Sequence, residues 1–179
     1  MHFLEYHYNN IIKYDFLNKF HKTPQLAIPK IKKISLTFNC KHTDLKELFS
    51  AFFALELVTM QKAIFIKSKK PQVSVKIKKN EFVGCKLILR KRYISLFMEK
   101  LFYKVFPKIK QFEGLRFKIN KVTKSFDFLL QNPFYFSELE QHYKFFQALP
   151  PVKVSIVTNS ESSFQTFFLL LSYRFPLFK

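Results

Sequence analysis

Only two of the 179 residues are glycine, Gly84 and Gly114, and none is tryptophan. Two isolated glycines cannot build a phosphate-cradling loop, which needs several close together so that backbone N–H groups crowd round an anion. Mononucleotide and dinucleotide loops of that kind are therefore excluded. Cysteine is equally scarce. Cys40 and Cys85 have no CxxC partner and no histidine at zinc spacing, so both are expected as reduced thiols. The longest apolar run, around FFLLLSY near the C-terminus, falls far short of the ~20 residues that cross a bilayer. Acidic residues are few, 12 against 31 Lys and Arg. Catalytic patterns are missing as well. His2, His7, His21, His42 and His142 are scattered, no Ser or Cys nucleophile sits in a recognisable turn, and Glu138 and Glu140 lie outside any metal-ligand spacing. The expectation is a protein that is not an enzyme, with no catalytic residue, no metal and no cofactor.

The N-terminal stretch MHFLEYHYNNIIKYDFLNKF carries acidic residues and no Arg. It lacks the basic start of a secretory signal and the Arg- and Ser-rich character of a mitochondrial import peptide. A protein used where it is made is expected. The basic residues are nearly all Lys, with Arg only at 90, 92, 116 and 174, and there are 25 Phe. Lys, Phe, Ile, Asn and Tyr use AT-rich codons. An AT-rich organelle genome accounts for this bias and for the missing import peptide, which points to the mitochondrial matrix. The alternative is the cytoplasm of an AT-rich bacterium, or a plastid.

What is abundant is positive charge on an apolar chain. The formal net charge is +19, with 48% hydrophobic and 18% aromatic residues. Such a composition folds rather than forming a disordered tail. Its natural counterpart is a polyanion, with nucleic acid first and an anionic membrane surface second. The length suits a single domain spanning 1–179.

Apolar spacing predicts an amphipathic helix over 3–20, ended by Pro24 and Pro29. Ile34, Leu36 and Phe38 alternate with polar residues as in a strand. Thr43 or Asp44 is placed to cap a second helix, with Leu45, Leu48, Phe49, Phe52 and Leu55 on its apolar face. AIFI at 63–66 reads as a buried strand. Val73–Lys78 and Cys85–Arg90 read as two strands joined around Asn80. Tyr93–Val105 reads as a helix stopped by Pro107. The segment from Phe117 to Phe136 is β-prone without a clear period. VKVSIVT at 152–158 is a last strand, and Ser160 is placed to cap a final helix with Phe164, Phe167, Phe168 and Leu171 along one side. Helices and hairpin-spaced strands without regular alternation predict an α+β fold: a single curved antiparallel sheet with helices packed mainly on one face.

In such a sheet the face away from the helices meets solvent or a partner. Along Cys85–Arg90 the open parity is Lys86, Ile88 and Arg90. Lys30 and Lys32 share a parity near the start of an earlier strand, with Lys33 on the other. Together with Lys62 and Arg92, these residues predict a basic sheet suited to the sugar–phosphate backbone of RNA. The aromatic wealth belongs mainly to the core rather than to base stacking.

Several blocks in order carry a resemblance: IPKIKKISL after the N-terminal helix, then MQKAIFIKSKK, KIKKNEFVGCKLILR, FPKIKQFEGL and a terminal RFPLFK. The chain resembles the large-subunit ribosomal protein L-five family, whose members bind 5S rRNA at the central protuberance. By position, Lys33, Gln61 and Arg90 match family residues on the RNA-contacting side. Lys67 to Val83 matches the long loop that reaches toward P-site transfer RNA and the small-subunit head, so Lys67, Lys69, Lys70, Lys76, Lys78 and Lys79 are expected on a projecting basic hairpin. The resemblance implies as partners ribosomal RNA (5S, large-subunit rRNA or both), transfer RNA, neighbouring central-protuberance proteins and a small-subunit head protein. Thr37 stands where the family usually has Asn, and Ile88 where it usually has Thr. The family's glycine-rich loop has become KVTKSFDFL at 121–129, and Pro151-Val152 replaces a Gly-Leu. A free-standing basic protein for RNA or an anionic membrane is the reading from a different class.

Overall fold

Apolar residues at the N-terminus do form a helical run, but with an irregularity that spacing does not show. α1 (Phe3–His7) passes into a π-helical turn (Tyr8–Ile12) and then α2 (Lys13–Lys19). The extra residue of the π turn shifts the apolar stripe. Ile12 and Phe16 are fully buried, whereas the equally apolar Ile11 is 47% exposed. The computed structural model describes residues 3–20, 28–40, 45–71, 77–117, 119–120, 125–160 and 162–178.

The remaining elements follow in chain order: β1 (Ile31–Asn39), α3 (Leu45–Thr59), β2 (Ile64–Lys67), β3 (Phe82–Leu89), α4 (Arg92–Lys100), β4 (Leu115–Arg116), β5 (Ile119–Asn120), β6 (Ser125–Leu130), α5 (Ser137–Gln141), β7 (Val152–Thr158), α6 (Ser163–Ser172) and β8 (Leu177–Phe178). Six strands form one antiparallel sheet in the order β2-β3-β1-β7-β6-β5, and β4 and β8 pair separately in parallel. The α+β reading with an antiparallel sheet is what the chain adopts. The expected strands at 152–158 and 85–90 are present as β7 and β3; Val152, Val154 and Ile156 are buried in the first, and Cys85, Leu87 and Leu89 in the second.

Three expectations, two about faces and one about a cap, are corrected. In α3 the buried stripe is Leu48, Ala51, Ala54, Leu55 and Val58, while Leu45 and Phe49 are exposed. The small Ala side chains form the core-facing side, and Phe52 lies on the flank, stacked on Phe65 at 4.6 Å. The AIFI stretch is a strand but not a buried one. β2 is an edge strand, and Ile64 is 67% exposed. The last helix is capped by Ser162, not Ser160. The Ser162 hydroxyl accepts from the Gln165 N–H, and the Gln165 side chain accepts from the Ser162 N–H, a reciprocal capping box. Ser160 is instead buried with Thr158 and Thr166 in a cluster of mutually bonded hydroxyls. The proposed caps Thr43 and Asp44 lie outside the described residues, as do Val73, Val75 and Lys76.

The chain divides into two compact units. One comprises residues 1–34, 89–128 and 155–179. Its core is an aromatic cluster in which Phe175 meets Phe102, Phe106, Phe126 and Phe128 at 5.0–6.4 Å between ring centres. The helix that begins as α4 ends through a π turn (Leu101–Val105) and a 3-10 turn (Phe106–Lys108) containing Pro107. The other unit comprises residues 35–88 and 129–154. There Leu36, Phe38 and Val152 of the sheet share a small apolar cavity with Leu55 and Val58 of α3 and Leu139 of α5.

Candidate nucleic-acid interface

Each basic residue takes its direction from strand parity. In β1, Ile34, Leu36 and Phe38 are buried, so the odd-numbered Lys33, Ser35, Thr37 and Asn39 lie on the opposite parity. In β3 the buried set Cys85, Leu87 and Leu89 leaves Lys86 and Ile88 on the other side, and the exposed Arg90 follows the strand's last residue. Ile64 of β2 pairs with Lys86 and shares its face. On β6, Leu129 alternates with the buried Phe128 and Leu130. The open face is therefore mixed rather than uniformly basic. Within residues 35–88 and 129–154 it carries Lys86 with the exposed Ile64 and Ile88 near it and the exposed Leu129 three strands away.

Lys30 and Lys32 do not belong to that face. Their parity is that of Ile34 and Leu36, and they emerge at the exposed start of the strand. They line a cleft of about 320 Å³ with Glu5, Tyr8 and Asn9 of the N-terminal run, Lys91 and Ser95 at the start of α4, and Tyr173. The backbone of Lys30 is held from both directions: its N–H donates to Asn159 Oδ1 at 2.5 Å, and its carbonyl accepts from the Asn159 N–H at 3.2 Å. Tyr8 and Tyr173 stack in parallel, 2° apart in plane, and the Tyr8 hydroxyl donates to the Pro29 carbonyl. Burial, with Tyr8 and Glu5 adding to it, pushes the Tyr173 phenol well above its ordinary range. Both rings stay neutral at physiological pH. Sequence reasoning missed Lys91, Ser95 and Asn9. The run Arg90-Lys91-Arg92 was visible, but not that Lys91 turns back with φ 51°.

Gln61 and Lys62 occupy the turn between α3 and β2, where Met60 has φ 54°. The Glu56 carboxylate accepts from the Ala63 N–H across that turn. Gln61 is half-buried and Lys62 exposed. Arg92 is the exposed first residue of α4.

The hairpin between β2 and β3 is closed by backbone bonds, Ser68 N–H to Glu81 O and Asn80 N–H to Ser68 O, with Asn80 at φ 67°. Lys69, Lys70, Lys78 and Lys79 are exposed. The nearby carboxylate, Glu81, accepts from the backbone N–H of Lys78 at 2.7 Å and so helps shape the turn. Lys67 packs its ammonium over the Phe82 ring at 5.2 Å. Ile77 is buried, so the hairpin contributes more packing than a bare projecting loop.

Residues 82–177 match the family profile for the C-terminus of the ribosomal protein L-five family. The whole chain is 33% identical to the large ribosomal subunit protein uL5m of Reclinomonas americana, over 100% of both chains. The chain belongs to the ribosomal protein L-five family. It is also 27% identical to the large ribosomal subunit protein uL5 of Blochmanniella floridana, over 96% of this chain and 90% of that one. With uL5 of Wolbachia sp. subsp. Brugia malayi it shares 29% identity over 98% and 99%. A member of this family is a ribosomal structural protein and not an enzyme. The family profile runs from Phe82 to Leu177, so it takes in β3 and nearly all that follows, including Lys86, Arg90 and Arg92. No helix among the described residues is long and apolar enough to cross a membrane.

Proposed function

We propose that this chain is a structural constituent of the large ribosomal subunit, seated on ribosomal RNA at the central protuberance and working in a mitochondrial ribosome. The observation that carries the reading is the full-length match to a mitochondrial uL5m, with bacterial uL5 proteins also close. The net charge of +19 supports an RNA counterpart. Lys33, Arg90 and Lys86 supply the sheet-side contacts, with Gln61, Lys62 and Arg92 at the neighbouring turns. Thr37 and Ile88 are poorer partners for bases than the family's Asn and Thr. Contact there is directed to phosphate rather than to base edges, and holds 5S rRNA or whatever occupies its place. The basic hairpin, with Lys67, Lys69, Lys70, Lys76, Lys78 and Lys79, reaches P-site transfer RNA and the small-subunit head.

Sedimentation tests the reading. The chain should travel with large subunits through washes at physiological salt. Lys33→Ala combined with Arg90→Ala should weaken incorporation while the chain stays folded, with the melting temperature lowered by no more than about 4–8 °C, since charges at such positions contribute at most ~1 kcal/mol each. Replacing Lys69, Lys70, Lys78 and Lys79 by Gln should leave assembly intact and lower peptide synthesis. A chain that stays at the top of the gradient in every preparation would overturn the assignment.

A further inference from the structure

Lys30, Lys32 and Lys91 bring three ammonium groups to one cleft, with Glu5 as the acidic residue lining it. Their lengths and exposure let all three converge on a ligand at the mouth. Ser95, only 9% exposed, also lines this cleft. A serine inside a helix ordinarily donates to the carbonyl four residues back. Thr59 and Ser172 do so here, and Ser50 donates to the carbonyl three residues back. No such side-chain bond is found for Ser95 among the described residues, and its hydroxyl, open to the cleft it lines, is available to donate to a ligand. The clamp of Asn159 on the Lys30 backbone fixes one wall in advance, and the Tyr8–Tyr173 stack offers an apolar wall beside it.

We propose that this cleft holds a phosphodiester of ribosomal RNA, as a contact separate from the sheet face. The inference rests on the reading of the chain as a ribosomal RNA-binding protein. A phosphate presents several oxygens that accept at once from ammonium groups and a hydroxyl, which is the donor set present. Three cations against one carboxylate favour an anion over a neutral or cationic ligand. The cleft volume of about 320 Å³ admits a phosphate together with its ribose, whose apolar side meets the tyrosines. Lys30 and Lys32 thus bind RNA from the helix side of the strand.

The test compares full-length variants bound to large-subunit ribosomal RNA across a salt series. Each lost phosphate contact removes about 0.7–0.9 from the log–log salt slope. Lys32→Ala combined with Lys91→Ala should flatten the slope by at least about 0.7, with an unchanged melting temperature. Asn9→Glu, which adds a carboxylate at an exposed lining position, should weaken binding as well. In a second arm, Asn9→Cys carries a tethered hydroxyl-radical source into the assembled particle. Cys40 and Cys85 are buried, so labelling is confined to the new thiol. Cleavage of the ribosomal RNA backbone is the expected result. It separates an RNA phosphate from a free phosphate ion, which gives no cut. Wild-type sedimentation with the subunit, measured alongside, reads the broader assignment separately. An unchanged slope in the folded double variant, or no cut from position 9 while the same probe on Lys86→Cys does cut, would overturn the cleft contact.

Discussion

Gly84 and the two cysteines show how single residues are constrained within residues 35–88. A Cβ placed on Gly84 would run into the Phe38 carbonyl oxygen, well inside van der Waals contact, and the obstacle is backbone, with no rotamer to relieve it. Gly84→Ala must therefore push β1 from β3, and should lower stability by about 1–3 kcal/mol in urea unfolding. An unchanged midpoint would mean the two strands separate without cost. The glycine was visible in FVGCKL, but the approach of Phe38, 46 residues earlier, was not. Next to it, burial pushes the Cys85 thiol up to about 11. Burial, then Glu47 and Cys85, pushes Cys40 up to about 12. Unfolded thiols titrate near 8.5, so above that pH the native state binds more protons than the unfolded one. The contribution of these thiols is fully present below pH ~8.5 and declines as pH rises toward 11 and 12. At pH 8 both should react with a thiol reagent only in denaturant. Fast labelling of the folded chain would show that the pair is not sealed.

Elements were legible where the pattern is local and hidden where a distant partner decides. β7 reads directly from VKVSIVT because strict alternation has one solution. β4 and β8 have two residues each and exist only because Leu115 and Arg116 meet Leu177 and Phe178, far along the chain. No window around either could show that. The face of α3 follows packing rather than bulk: Ala51 and Ala54 are buried, while Leu45 and Phe49, expected on the apolar face, are exposed. The candidate site divides in the same way. The parity of Lys86 follows from β3 alone. The cleft of Lys30, Lys32, Lys91 and Ser95 depends on how the N-terminal run lies against the start of α4. The start of α6 was displaced by two residues because Ser160 and Ser162 both look like caps, and only the structure shows Ser160 drawn into the Thr158–Thr166 hydroxyl cluster. Ser162→Ala should cost about 1 kcal/mol through loss of the capping box. Chemical denaturation of Ser162→Ala and Ser162→Asp separates the cap from any packing effect, since Asp should restore most of the loss.

At the scale of the molecule the governing quantity is a net charge of +19 on 179 residues. The total is plain in the sequence, and its cost is borne when no RNA is present. Like charges repel in the compact state and less in the expanded one, so the isolated chain should be least stable at low salt. Four strands contribute residues to both compact units, with boundaries such as that between Ile34 and Ser35 inside β1. We therefore propose that residues 1–179 unfold as one cooperative domain. Raising KCl from 0.01 M to 0.15 M shortens the screening length from about 30 Å to about 8 Å, enough to weaken most pairwise repulsion across the surface. If the relief is ~2 kcal/mol, a chain of this size should melt roughly 4–8 °C higher. Ribosomal RNA should act in the same direction at lower concentration, by binding the folded state alone. The measurement is a thermal scan across a KCl series, with and without RNA, and a single transition is expected throughout. RNA should raise the melting temperature most at low salt and progressively less as KCl competes for the phosphates. A melting temperature that falls with KCl in the absence of RNA would show that attractive pairs, not the cationic excess, dominate the folded state.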